Sequence, residues 1–350
     1  MSLFPGCFNF SFTSYRDWCY RYGFTIAGLQ STTIHVSNSS IHFWVPKSPD
    51  PAKSSLLLIH GFGANATWQW NDHLRPLLLS GFNVYIPDLL FFGTSHTSSP
   101  DRSDTFQAEC IVKAMEMLGV NAMSLVGISY GGFVGFRIAL MYPERIDKVV
   151  LCCAGVCLEE KDLDDGLFVV DKIEDAADIL LPRTPEKLRE LLNLSFVMPP
   201  RAIPSCFLSD YIDVMCTEYV EEKKELLQAL IKGKRYVDLP KITQPTLIIW
   251  GEQDKIFPLE LGHRLNRHLE GNSQLVIIKN AGHAVNLEKP KEFCKYLKAF
   301  LVDSVISTTQ KSNSIMNFMI KKHYYLMRFF GFSSPSKKET LLNNKKEVDK

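Results

Sequence analysis

Between residues 30 and 155, short apolar runs alternate with stretches in which apolar residues recur at helical spacing. Residues 32–36 and 41–45 read as two short strands joined by the turn residues 37–40. Leu56, Leu57, Leu58 and Ile59 form a wholly apolar run, as expected of a strand covered on both faces. Further strands are predicted at 84–86, 124–126 and 148–153, with helices over 104–118 and 130–141. The alternation resumes later as strand 246–250, helix 258–269, strand 274–278 and helix 290–302. This order predicts an α/β fold: a mostly parallel sheet flanked by helices on both faces.

Three stretches depart from that rhythm. Residues 155–240 contain charged helical segments at 186–192 and 221–231 and a proline-rich loop at 197–204, which together predict a helical cap inserted between two sheet strands. The core is then expected over 31–154 and 241–302. Residues 1–30 are an aromatic-rich segment broken by Asn9, Ser11, Ser14, Arg16 and Asp17, expected to pack on the body or touch a membrane surface rather than serve as a secretory signal. Residues 303–350 read as a basic amphipathic tail, with nine Lys or Arg against three acids from Ser304 on. No apolar run reaches ~18 residues, so no spanning helix is expected.

Composition narrows the function classes. Thirty-nine basic against 38 acidic side chains give a net charge of +1, which argues against nucleic acid as a partner. The nine cysteines show no paired C-x-x-C or His cluster, so no metal site is expected. Cys152 and Cys153 sit inside an apolar run, as reduced, buried thiols would. The expected location is cytoplasmic, with peripheral membrane contact through the termini. Nothing in the composition bears on oligomeric state.

The chemistry centres on Gly127-Ile128-Ser129-Tyr130-Gly131, the one Gly-x-Ser-x-Gly in the chain. It follows a predicted strand and precedes a predicted helix, the setting in which such a turn thrusts a serine hydroxyl out at a strand's carboxyl end. A serine needs a base to take its proton. His283 lies in a loop just after strand 274–278, whereas His60 precedes a glycine turn and reads as structural. Asp254 follows strand 246–250 and can orient the base, or instead cap the helix that follows; Glu252 is the alternative acid. Donors for an oxyanion are expected from the backbone N–H groups of Phe62, in His60-Gly61-Phe62-Gly63, and of Tyr130.

Five strings in order carry a resemblance: Leu57-Leu58-Ile59-His60-Gly61-Phe62-Gly63; Ile86-Pro87-Asp88-Leu89 with Phe92-Gly93-Thr94-Ser95; Gly127-Ile128-Ser129-Tyr130-Gly131-Gly132; Trp250-Gly251-Glu252-Gln253-Asp254; and Gly282-His283-Ala284 with Leu287-Glu288-Lys289-Pro290. Over about 30–302 the chain resembles the α/β-hydrolase superfamily. The resemblance implies an eight-stranded, mostly parallel sheet, a Ser129–His283–Asp254 triad, the oxyanion donors just named, and no cofactor. Serine at the elbow sets the chain apart from epoxide hydrolases and haloalkane dehalogenases, which look for Asp there. Monoacylglycerol-lipase-type and carboxylesterase-type members are the more similar. Carbon–carbon bond hydrolases share much of the pattern but carry an Asn near the position of Trp70. Acyl transfer and ligand sensing without turnover are the other uses of the same constellation.

The expected substrate is a small ester or lipid with an apolar acyl group, held by a pocket that includes Trp68, Trp70, Phe91 and Phe92 from the core and Met198 from the cap.

Overall fold

In a computed structural model of the protein, described for residues 10–170, 172–200 and 203–302, the chain begins with helix α1 (Phe12–Ile26). A hairpin, β1 (Leu29–Val36) and β2 (Ser39–Pro46), follows. Then come β3 (Ser55–Ile59), α2 (Ala66–Leu79), β4 (Asn83–Pro87), the two-residue β5 (His96–Thr97), α3 (Asp104–Met117), β6 (Met123–Ile128), α4 (Tyr130–Met141) and β7 (Ile146–Cys152). Five helices leave the sheet: α5 (Lys161–Asp164), α6 (Ile173–Leu180), α7 (Pro185–Ser195), α8 (Ser205–Met215) and α9 (Val220–Ile231). The chain returns with β8 (Thr246–Gly251), α10 (Leu259–His268), β9 (Ser273–Ile278), α11 (Val285–Glu288) and α12 (Pro290–Val302). The basic segment expected at 303–350 lies outside the described residues.

Eight strands lie in the order β1-β2-β4-β3-β6-β7-β8-β9, and β5 pairs with β2 beside them. The six strands from β4 to β9 run parallel, while the β1–β2 hairpin is antiparallel and joins β4 antiparallel. β3, β4, β6 and β8 are buried along nearly their whole length, as sheet strands covered by helices on both faces must be. This is the alternation of sequence made solid. The carboxyl ends of β3, β6, β8 and β9 all face one edge, and the loops there can meet.

The five inserted helices lie between β7 and β8, and helices α7 and α8 carry a small core of their own around Leu188, Leu208, Ile212 and Cys216. The N-terminal aromatic segment is a helix, which its interrupted apolar pattern did not predict. Its two faces explain this. Thr13, Asp17, Tyr20 and Phe24 turn to the body, with Phe24 fully buried edge-on to Trp44 at 5.2 Å between ring centroids. A second set of large apolar residues faces the other way, so the segment is apolar on both sides and shows no clean period.

A buried carboxylate and two buried imidazoles fix the loops beneath the sheet edge. Asp88 accepts from the Ala66 N–H (2.7 Å), meets His42 Nδ1 at 2.8 Å, and so anchors the start of α2 to the β4 loop. His60 Nε2 accepts the Leu89 N–H at 2.9 Å, which leaves its Nδ1 protonated and donating to Gly61 O. Burial holds His60 below the ordinary imidazole range. His73, on α2, is packed against Phe293 and Cys294, and burial pulls its pKa down to about 4.

The neutral form of His73 is therefore the folded form. The unfolded chain binds its proton near pH 6.5 and the folded chain only near 4, so this contribution is present above about 6.5 and is lost as pH falls through that window. The expected loss is on the order of 3 kcal/mol. In urea unfolding at pH 7 and 4.5, His73→Gln should lower stability at pH 7 and flatten the pH dependence; an unchanged slope would contradict this account.

Candidate active site

Ser129 is held at φ 52°, ψ −121°, a backbone conformation that a side chain adopts only under constraint. Its own N–H donates to Cys152 O at the end of β7 (2.8 Å), and its carbonyl accepts the Gly132 N–H (2.8 Å). Glycine is required on both sides of it. A Cβ at Gly127 would strike the Gly131 carbonyl, and a Cβ at Gly131 would strike the carbonyls of Ile59 and His60. The elbow and the loop after β3 are thus pressed backbone to backbone, and the serine can point only outward.

The structure brings Ser129, His283 and Asp254 together from the ends of three strands. Ser129 Oγ lies 2.9 Å from His283 Nε2, and His283 Nδ1 lies 2.8 Å from Asp254 Oδ2. Asp254 has no exposed side-chain surface, and its other oxygen accepts the N–H groups of Ile256 and Phe257 at 2.9 Å each. A carboxylate offers no proton, so Nδ1 carries the hydrogen and Nε2 is free to accept from the serine. Asp254 therefore both orients the imidazole and ties down the loop that follows it. Glu252 instead accepts the Asn280 N–H at 3.1 Å and makes no bond to His283.

Phe62 and Tyr130, the expected oxyanion donors, line the same cavity as Ser129. Gly61 N–H is taken by Gln69 Oε1 at 3.1 Å, so the next amide of the loop, that of Phe62, is the one left over. Tyr130 opens α4, where its N–H has no preceding turn to bond. Neither amide meets a protein acceptor among the described residues. Phe62 is braced by Phe92 and Tyr130, with ring centroids 5.2 and 5.9 Å away.

Of the five pocket residues expected from sequence, Trp68 alone lines the cavity beside Ser129. Trp70 is fully buried on the inner side of α2, two residues on and turned to the core. Phe92 lies beneath Phe62 as support. Phe91 turns toward the cap, against Tyr219 at 5.7 Å and under the Arg102 guanidinium at 4.6 Å. Met198 sits on the outer surface, 80% exposed. Apolar character alone did not separate walls from packing.

The cavity itself measures about 900 Å³ and runs from Ser129 and His283 between sheet and cap. Cap residues Leu180, Leu188, Leu191, Leu192, Phe196, Leu227 and Leu230 form much of its wall. The N-terminal helix supplies Phe12, Tyr15, Arg16, Cys19 and Tyr20, none of which the sequence pattern assigned to the site. Two further polar residues were given no role by the sequence: Gln69, which fixes the loop carrying Phe62, and Glu288, quoted only as part of a matching string. Glu288 accepts the Gly282 N–H at 2.6 Å and the Val197 N–H at 2.9 Å, joining the His283 loop to the cap. The position of Glu288 five residues after the histidine was the signal available.

Cys153, Asp254 and His283 offer ligand atoms within 4.8 Å of one another. Asp254 and His283 are bonded to each other, and burial keeps the Cys153 thiol protonated, well above its ordinary pKa. That donor set is arranged for hydrogen bonding rather than for a metal ion.

The alpha/beta hydrolase family profile matches residues 56–296. The chain is 30% identical over 271 residues to the mouse (Mus musculus) monoacylglycerol lipase ABHD6, covering 74% of this chain and 78% of that one. Among solved structures, a putative lipase from Acinetobacter baumannii superposes with a TM-score of 0.72 at 27% identity, covering 85% of this chain and 98% of the other. A membrane phospholipase A described as a bacterial virulence factor gives 0.67 at 28% identity, over 83% and 89%. The family match runs from β3 into α12, taking in the elbow and the loops that bear Asp254 and His283, and the chain belongs to the alpha/beta hydrolase family.

Proposed function

We propose that this carboxylic ester hydrolase acts on esters with long apolar acyl groups, through an acyl-enzyme on Ser129. The observation that carries the reading is the cavity. At about 900 Å³ it is at the large end of the ~300–1,000 Å³ range for small-molecule sites, and aliphatic and aromatic side chains dominate its wall right up to the serine. A short or charged acyl group would leave that surface unfilled.

His283 Nε2 takes the proton as Ser129 Oγ attacks the ester carbonyl, and Asp254 stabilises the imidazolium that forms. The Phe62 and Tyr130 N–H groups receive the developing oxyanion, aided by the positive end of α4. His283 then gives its proton to the leaving alcohol. Water, activated by the same imidazole, releases the acid. Peripheral contact with a lipid surface belongs to the same reading; no helix among the described residues is long and apolar enough to cross a membrane.

Labelling by a fluorophosphonate probe should be strong in the wild type and absent in Ser129→Ala; equal labelling of both would move the nucleophile elsewhere. Asp254→Asn should retain the fold while kcat on a p-nitrophenyl ester falls by about 10⁴, the cost of the wrong imidazole tautomer. Across p-nitrophenyl esters from acetate to decanoate, kcat/KM should rise by up to about fourfold per methylene, the equivalent of ~0.8 kcal/mol of burial. A flat or falling profile would remove the long-chain assignment while leaving the serine chemistry intact.

A further inference from the structure

Helix α1 carries an aromatic stripe that no part of the described body covers. Tyr15, Trp18, Tyr22 and Ile26 recur every three or four residues on one face and are 53, 58, 56 and 69% exposed. The rings stack along the helix: Tyr15 on Trp18 at 6.1 Å and Trp18 on Tyr22 at 5.6 Å, the latter only 7° from coplanar. Phe10 extends the row from Tyr15 at 5.8 Å. A soluble surface carries single exposed aromatics without consequence, but a continuous row of this kind marks an interaction site.

The helix cannot simply roll to bury the stripe, because its opposite face is already tied down. Asp210 of α8 accepts the Thr13 N–H at 2.8 Å, and hydrogen bonds from Ser11 and Thr13 hold its carboxyl below the usual range despite burial. Asp17 accepts Trp68 Nε1 at 3.0 Å, and Phe24 is locked in the core. The stripe is thus presented to solvent by design of the other face.

We propose that this stripe is the surface by which the enzyme docks on a phospholipid bilayer, with the mouth of its acyl cavity at the bilayer surface. The proposal rests on the reading of the cavity as an acyl-chain site. Three observations choose a bilayer over another protein. First, the same helix borders the mouth: Phe12, Arg16 and Cys19 line the cavity on the flank next to the stripe, and Tyr15 belongs to both. A protein seated on the stripe would crowd that opening, whereas a bilayer would feed it. Second, the composition is that of a membrane interface, where Tyr and Trp rings place an apolar body in the lipid and a polar tip among the headgroups. Third, Arg16 and Arg21 set positive charge on the two flanks of the stripe, Arg16 held by the Tyr20 hydroxyl and Arg21 beside Asp17 and Trp44, which complements a phosphate-bearing surface.

The molecule provides its own reporter. Trp44, Trp70 and Trp250 are buried, and Trp68 is a cavity wall held by Asp17, so Trp18 is the one exposed tryptophan of the five. The full-length enzyme is mixed with phosphatidylcholine vesicles whose acyl chains are dibrominated, and tryptophan emission is followed. The expected result is quenching in the wild type that is lost in Trp18→Phe. Absence of quenching in the wild type overturns the proposal, as does equal quenching in Trp18→Phe, which would place the contact at another tryptophan.

The double variant Trp18→Ser/Tyr22→Ser leaves the cavity wall and the triad untouched. It should hydrolyse soluble p-nitrophenyl butyrate within twofold of the wild type, and monoacylglycerol presented in phosphatidylcholine vesicles at least tenfold more slowly. Parallel loss of both activities would mean that the stripe serves folding, and an unchanged vesicle rate would mean that it serves neither; each overturns the docking role. A wild-type dimer in lipid-free solution that the double variant converts to monomer would assign the stripe to a second copy of the chain instead. Failure of the wild type on every ester, with Trp18 still quenched, would strike the long-chain hydrolase reading and leave the docking surface standing.

Discussion

The backbone contact between the elbow and the loop after β3 governs the rest of this site. Ser129 can be held in its left-handed conformation because Gly131 packs directly on the carbonyls of Ile59 and His60. The same contact sets the distance between the serine and the Phe62 amide. Everything beneath it stiffens that approach: His60 bonded to Leu89, Gln69 bonded to Gly61, and Asp88 holding the first turn of α2. Strain at one residue is tolerable when its neighbours leave it no other place to go.

Much of the sheet was legible in the chain because parallel strands buried on both faces must be short and apolar, and the helices between them must be amphipathic. The chemistry was legible for a related reason: Ser129, Asp254 and His283 each stand directly after a strand, so a reader who finds the strands finds the loops. The cavity wall was not legible. Trp68 and Trp70 are two residues apart on one helix and so face different ways, one toward the substrate space and one toward the core. Phe91, Phe92 and Met198 are as apolar as true wall residues, and only the folded chain reveals that they latch the cap, brace Phe62 and face water, respectively.

The N-terminal helix shows a deeper limit on sequence reading. A helix buried on one face has a period; a helix that is apolar on two opposite faces loses it. The inner row of α1 packs against α2 and α8, while the outer row stays free. A segment that looked like an irregular aromatic preface is thus a wall of the acyl cavity, and it joins the cap to the core at a point the strand connections do not supply.

The bond between Thr13 and Asp210 also has a bearing on how the protein is made. Its partners are 197 residues apart, so α1 has no cap to rest on until that length of chain has followed it. Until then both its aromatic rows are open, and the cavity has a side missing. Contacts of such sequence separation are slow to close and leave apolar surface exposed while they wait. Helix α1 is made before the cap but fully seated only after it, and the newborn chain depends on whatever shelters those rings in the interval.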